Sequence, residues 1–320
     1  MSISVVIPVY NSQESLEPLI HSLYDVLRLC GHPFEVVLVN DGSQDTSWAV
    51  IERLALERPW ILGINLMTNF GQHNALLCGI RAARYATVVT MDDDMQNPPE
   101  EVIRLVEALD ANTDVVYGYP QREAHGLLRN LASAMTKIAL RGAMGVETAR
   151  RVSSFRAFRT QVRAAFSDYR GAFVSIDVLL TWGTRRFKAI PVRCDPRRFG
   201  VSQYSLCKLI VHGLNMVTGF TILPLQLASL TGFLFTFVGL ILLLYVVGRY
   251  FMEGGAVPGF PFLASMIAIF SGAQLFALGI IGEYLARVHF RIMDRPVYTV
   301  RSTTADSGGN GSGDSEPGLT

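Results

Sequence analysis

The sequence predicts an α/β domain built on a mostly parallel sheet, followed by a two-helix transmembrane hairpin. Three observations lead there. Short runs rich in Val and Ile alternate with helical patterns through the first 120 residues of a 320-residue chain, a pattern that sets strands side by side with helices on both faces. Two later stretches, 209–248 and 254–282, contain no Asp, Glu, Lys or Arg. Each exceeds the roughly 20 residues that cross the hydrocarbon of a bilayer. Charged residues make up 17% of the chain and hydrophobic ones 50%, against about 25% charged in a typical soluble domain. That balance fits lipid contact and excludes a disordered chain.

Strands are expected at 3–9, 34–40, 61–66, 87–91 and 114–117, with a later one at 188–192. Helices are expected between them at 15–29, 47–57, 73–83 and 99–108, and another at 127–140. The N-terminus has no basic segment and Pro8 interrupts its apolar run, so it reads as the first strand and not as a secretory signal. In parallel sheets ligands lie beyond the carboxyl ends of the strands. The polar punctuation falls there: Val9-Tyr10-Asn11, Asn40-Asp41-Gly42-Ser43, Asn69-Phe70-Gly71-Gln72 and Asp92-Asp93-Asp94. Cys30, Cys78, Cys194 and Cys207 show no CxxC spacing and read as reduced thiols.

The spanning helices are expected at 223–247 and 262–285, joined by a short connector at 248–261 rich in Gly and Pro. Such a connector makes them antiparallel and returns the chain to the side it left. His212, Asn215, Thr218 and Thr221 are spread among apolar residues, so 205–222 reads as an interfacial amphipathic helix. Arg287, Arg291, Arg295 and Arg301 follow the second span and hold the flank 286–302 in the cytosol. Residues 1–204 are then a cytosolic domain, and 303–320, rich in Gly and Ser, a disordered tail. The net charge of +1 argues against a nucleic-acid binder, yet it hides an asymmetry. Residues 1–119 hold 6 basic and 16 acidic residues, and 120–208 hold 17 and 5. The first segment could hold a cation and the second face anionic lipid or phosphate, or the two could simply dock on one another.

Three adjacent carboxylates repel unless they are solvated or bridged by a cation. Asp92 and Asp94, two apart, project to one side if strand geometry persists. With Gln96 as a further oxygen donor they make a site for Mg²⁺ or Mn²⁺; the alternative is a solvated acidic turn before Pro98-Pro99. Asp41 could accept hydrogen bonds from a base or ribose, or close an Asx turn with Gly42. Tyr10 could stack on a base, or pack on the sheet edge.

Val6-Ile7-Pro8-Val9-Tyr10-Asn11, Val39-Asn40-Asp41-Gly42-Ser43, Asn69-Phe70-Gly71-Gln72-His73 and Met91-Asp92-Asp93-Asp94-Met95-Gln96-Asn97-Pro98-Pro99-Glu100 together resemble the GT-A-fold family 2 glycosyltransferases. Arg198-Phe199-Gly200-Val201-Ser202-Gln203-Tyr204-Ser205 and the terminal hairpin resemble the branch acting on polyprenyl phosphates, which includes dolichyl-phosphate mannose synthases and undecaprenyl-phosphate aminoarabinose transferases. The resemblance covers roughly residues 1–300. It implies a nucleotide-sugar donor, with UDP the expected carrier, and a polyprenyl-phosphate acceptor. It also implies a homo-oligomer, a tetramer, in a bacterial-type inner membrane with the catalytic domain in the cytosol. Pro8, Tyr10, Asn11, Asp41, Gly71, Gln72 and Asp92 would hold the nucleotide, and Asp92, Asp94 and Gln96 the metal. Arg122, Arg198, Ser202 and Tyr204 would meet the acceptor phosphate. Asp92, Asp94, Arg122, Arg156 and Arg198 would form the catalytic set.

The chain departs from that family's pattern at four places: Ser12 for Glu, Asp93 for Ala, Gln203 for Lys, and Arg151-Val152-Ser153-Ser154 before Phe155-Arg156 where relatives carry Asp. In some relatives that Asp is the proposed general base. A phosphate monoester, whose second pKa is about 6, is already largely dianionic at neutral pH. It needs positioning by arginines more than it needs a base. The rival readings are a catalytically inactive GT-A-like scaffold and a nucleotide-sensing membrane protein.

Overall fold

A computed structural model describes residues 2–120, 151–171, 174–196, 223–253, 259–293 and 295–307. Val- and Ile-rich runs form Ile3–Val9 (β1), Phe34–Asn40 (β2), Ile61–Leu66 (β3) and Thr87–Thr90 (β4), which lie parallel. Val115–Pro120 (β5), Arg156–Arg159 (β6), Phe187–Val192 (β7) and Val300–Thr303 (β8) complete one mixed sheet in the order β7-β5-β6-β4-β1-β2-β3-β8. β6 runs antiparallel between β4 and β5, and β8 antiparallel along β3.

Alternation along the central strands fills two cores. Val6, Val37 and Val88 face one way, toward Gln72–Ala82 (α3) and its Leu77 and Ile80. Their neighbours Ile7, Leu38 and Val89 face the other way. There they meet Leu16, Leu19 and Leu23 of Gln13–Leu29 (α1) and Leu105 of Glu100–Glu107 (α4). All of these are fully buried, and truncating such a Leu to Ala costs about 2–5 kcal/mol. Ser47–Glu57 (α2) covers the β2–β3 side through Ile51 and Leu54. α3 approaches β1 so closely that a Cβ on Gly79 would lie 2.4 Å from Val6 Cγ1.

Each of these expected strands and helices is present, with ends shifted by at most a few residues. Among the described residues, three elements that bear on the site or on the sheet edge were not expected, besides the short 3-10 helix Thr160–Ala165. β6 reads Arg-Ala-Phe-Arg, too short and too charged to signal a central strand. Ile176–Gly183 (α5) packs on the α3 side. The third, β8, corrects the flank and tail boundaries. Val300–Thr303 pairs with β3, and Thr304–Ser307 forms one helical turn beyond it. Thr304 Oγ1 accepts from Gly63 N at 3.0 Å, Met67 N donates to Thr299 O at 2.9 Å, and Val297 and Tyr298 pack on the core. An uncovered β3 would present unpaired backbone groups, and this segment satisfies them.

Leu223–Glu253 (α6) and Phe260–Ile292 (α7) form the hairpin and run further than expected at its turn and at its end. Both are long and apolar enough to cross a membrane, over Leu225–Arg249 and Ile269–His289. Phe233 is 72% exposed and Phe276 68%, an arrangement that water would penalise and lipid would not. The two helices meet through Phe235 and Phe270, whose rings are edge to face at 5.8 Å. The expected helix 127–140, the interfacial segment 205–222, Cys207 and the tail past 307 lie outside the described residues. Cys30, Cys78 and Cys194 are free thiols.

Candidate active site

The carboxyl ends of β1, β2 and β4 and the loop before α3 converge at one rim of the sheet. β6, being antiparallel, brings its N-terminal approach there as well: Thr90 of β4 is in register with Arg156 of β6. The rim is built by short polar side chains that hold one loop to the next. Asn11 has φ +53, the left-handed region that Asn tolerates better than most residues. Its N–H donates to Ser43 Oγ at 3.0 Å and its Oδ1 accepts from Gln44 N at 2.8 Å, fixing the β1 loop to the β2 loop. Pro8 lies buried in β1 opposite Val39, and Tyr10 is half-buried at its end.

Asp41 ties the β2 end to the loop before α3. Its side chain is buried, and both carboxylate oxygens accept backbone bonds, from Phe70 N at 2.7 Å and Gly71 N at 2.9 Å. Burial still raises its pKa against those two bonds. Asp41 therefore holds the loop that starts α3, with Gly42 at φ +66 packed against that loop. Gly71, at φ +92, turns the chain into α3 and delivers Gln72 to the rim.

The three aspartates point to three different tasks. Asp92 Oδ1 accepts from Gln72 Nε2 at 2.7 Å, and Asp92 Oδ2 from Ser154 Oγ at 2.6 Å. Asp93 turns back toward β1, accepts from Tyr10 N at 3.3 Å and lies against Ser12, whose hydroxyl donates to Tyr10 O at 3.1 Å. Burial, and more weakly the charges of Asp92 and Asp94, push its carboxyl up to about 6. Asp94 is nearly buried, and its Oδ1 accepts from Gln96 N at 3.1 Å. Gln96 O in turn accepts from Asp195 N at 2.8 Å.

Arg156 corrects a second expectation. Its side chain is 1% exposed, too deep to meet an acceptor at the surface. Its Nη1 donates to Asp177 Oδ1, its Nε donates to Thr90 Oγ1 at 3.1 Å, and its guanidinium lies over the Tyr117 ring. Tyr117 O–H donates to the same Asp177 oxygen at 3.0 Å; burial, then the adjacent Asp177 carboxylate, raise its pKa well above the phenolic value. The arginine braces β4, β5, β6 and α5 beneath the rim. Arg122, Arg198, Ser202 and Tyr204 lie outside the described residues.

Ser153, Ser154, Thr90 and Asp177 were not singled out as site residues by the sequence. Ser154 meets Asp92 across 62 positions, a pairing that no local pattern announces. Among the described residues no three acidic, His or Cys side chains already converge on a metal site. The donor chemistry nevertheless fits a hard cation: the carboxylate oxygens of Asp92 and Asp94 stand at the rim. Mg²⁺-type ions are commonly held by one or two carboxylates with substrate phosphates and water completing the shell.

The mostly parallel sheet with acidic loops gathered at its carboxyl rim is a fold of GT-A type. The chain belongs to glycosyl transferase family 2, whose model matches residues 4–169, and it is a glycosyltransferase. The undecaprenyl-phosphate 4-deoxy-4-formamido-L-arabinose transferase of Pectobacterium carotovorum subsp. carotovorum (strain PC1) is 34% identical over 307 residues, 95% of this chain and 94% of its own. The enzyme of that name from Enterobacter sp. (strain 638) is 35% identical over 303 residues, 93% of this chain and 92% of its own. Among solved structures, mannosyl-3-phosphoglycerate synthase from Rubrobacter xylanophilus superposes with a TM-score of 0.51 at 13% identity, over 68% of this chain and 72% of that one; that likeness concerns the fold.

Proposed function

We propose that this chain is a membrane-bound inverting glycosyltransferase that moves a sugar from a UDP-linked donor to a polyprenyl phosphate. The observation that carries this reading is the 34% identity to an undecaprenyl-phosphate transferase across 95% of the chain, the hairpin included. The donor's diphosphate would lie over Asp92 and Asp94, with its base near Tyr10 and Asn11. A divalent cation held by Asp92 and Asp94, with Gln96 nearby, would supply positive charge to the leaving diphosphate.

The chain's own residues do the rest. Asp41 fixes the Phe70-Gly71 loop and so places Gln72. The acceptor phosphate oxygen attacks the anomeric carbon while the bond to the diphosphate breaks. The bonding pair leaves with UDP, and the configuration inverts in one displacement. The attacking oxygen is already anionic, so no side chain has to remove a proton from it. That agrees with serines at 153 and 154. With Arg156 committed to the interior, the acceptor charge falls to Arg122 and Arg198, and Ser202 and Tyr204 would add hydrogen bonds to the phosphate. In this reading α6 and α7 cross the inner membrane, the catalytic domain faces the cytosol, and the chain works as a homo-oligomer.

Incubating the full chain with Mn²⁺, undecaprenyl phosphate and a panel of UDP-sugars should give one lipid product of the mass of the polyprenyl-phosphate sugar. Absence of product with every donor would favour the inactive scaffold. Substituting Arg198→Ala should sharply reduce turnover; full activity would remove that residue from the acceptor site.

A further inference from the structure

We infer that Ser154 is a positioning residue for Asp92: its hydroxyl and the Gln72 amide form a two-sided clamp that presents the Asp92 carboxylate to a divalent cation. This rests on the proposed reading of Asp92 as a cation ligand and goes beyond it. The two contacts are 2.6 Å and 2.7 Å, and the hydroxyl contact has the length expected of a charge-assisted bond. One falls on each oxygen, so the carboxylate plane is fixed. Both donors are neutral, so the carboxylate keeps its charge.

Each jaw is anchored in the frame. Gln72 opens α3 directly after Gly71, whose N–H is held by Asp41. Ser154 is held through its backbone. Its carbonyl accepts from Thr90 Oγ1 at 2.7 Å, Thr90 Oγ1 accepts from Arg156 Nε, and Arg156 is paired with Asp177. Ser153 adds a second hold, with Oγ donating to Gly118 O at 2.6 Å and accepting from Phe155 N at 3.1 Å. The buried Arg156–Asp177 pair is thus joined to the rim by a directed series of donors that ends on Asp92. An Asp at position 154 could not donate when ionised, and it would add a carboxylate beside three others.

Partners that orient a metal's ligands are typically worth 10–100-fold in metal affinity. Mn²⁺ alone is titrated into the full chain in detergent micelles, reading the loss of the free-ion paramagnetic resonance signal. Ser154→Ala should weaken binding about ten-fold or more, Gln72→Ala should also weaken it, and Ser154→Thr should bind nearly as wild type. Ser154→Cys, close in shape and a weak donor, reads the same loss should the alanine variant fail to fold. Asp92→Asn is the reference. If it is impaired while Ser154→Ala is not, or if Ser154→Thr falls as far as Ser154→Ala, the inference is overturned and the proposed function stands. If Asp92→Asn binds Mn²⁺ like the wild type, both fall.

Discussion

Asp93 and Ser12 touch, and both depart from the family's pattern, which has Ala at the first position and Glu at the second. Asp93 reaches back to Tyr10 N and the Ser12 hydroxyl. A carboxylate at 93 thus lies against Ser12, at the position where the resemblance expects a Glu. Asp93 already stands against burial and two like charges, so a Glu at 12 on top of it should be harmful. We expect Ser12→Glu alone to destabilise through like-charge repulsion, and Asp93→Ala alone to destabilise by about 1 kcal/mol by orphaning Tyr10 N. The double variant should recover most of both losses. Contacting residues couple by about 0.5–3 kcal/mol; strictly additive thermal unfolding losses would refute the exchange. Much of the rim was legible as residue types at strand ends. The division of labour within Asp92-Asp93-Asp94 was not, because it depends on partners 20, 62 and 83 positions away.

Between elements, one buried ion pair joins three strands and a helix. Arg156 of β6 meets Thr90 of β4, Tyr117 of β5 and Asp177 of α5. Removing one partner of such a pair costs about 3–5 kcal/mol, whereas replacing both with apolar groups is often neutral. Arg156→Met should therefore lower the unfolding midpoint far more than Arg156→Met with Asp177→Leu. If the double variant retains the fold yet loses Mn²⁺ affinity, stability and rim positioning are separable. The pairing also explains why β6 escaped a reading by composition: its Arg is buried because a carboxylate far along the chain receives it. β8 escaped for another reason. Its four residues follow an apolar helix and precede a Gly-rich tail, and what makes them a strand is the open edge of β3. Thr304→Val removes the acceptor for Gly63 N and should expose the β3 edge, costing about 1 kcal/mol and speeding proteolysis near residue 300. Unchanged cleavage would mean that β8 pairs without that latch.

For the molecule as a whole, the path of the chain matters as much as its parts. The sheet is left before the hairpin and rejoined after it: Tyr298 contacts Arg81 of α3, and β8 closes on β3. The hairpin is thus an excursion from the catalytic domain, anchored in it on the C-terminal side within a few residues of α7 and not by a loose tail. Under the proposed function, an enzyme held at the bilayer in this way would search for its lipid acceptor in two dimensions. Its rate should follow the mole fraction of polyprenyl phosphate in the membrane and not its bulk concentration. We therefore expect turnover in vesicles to fall when inert lipid is added at constant total acceptor, and to stay level when vesicles and enzyme are diluted together with buffer at fixed donor concentration. A breaking substitution at the anchor, Tyr298→Ala with Thr304→Val, should raise the apparent KM for the lipid acceptor while leaving that for the nucleotide sugar near its wild-type value, since the rim is untouched. Equal changes in both constants would show that the strap supports the fold of the whole domain and does not set its reach to the membrane.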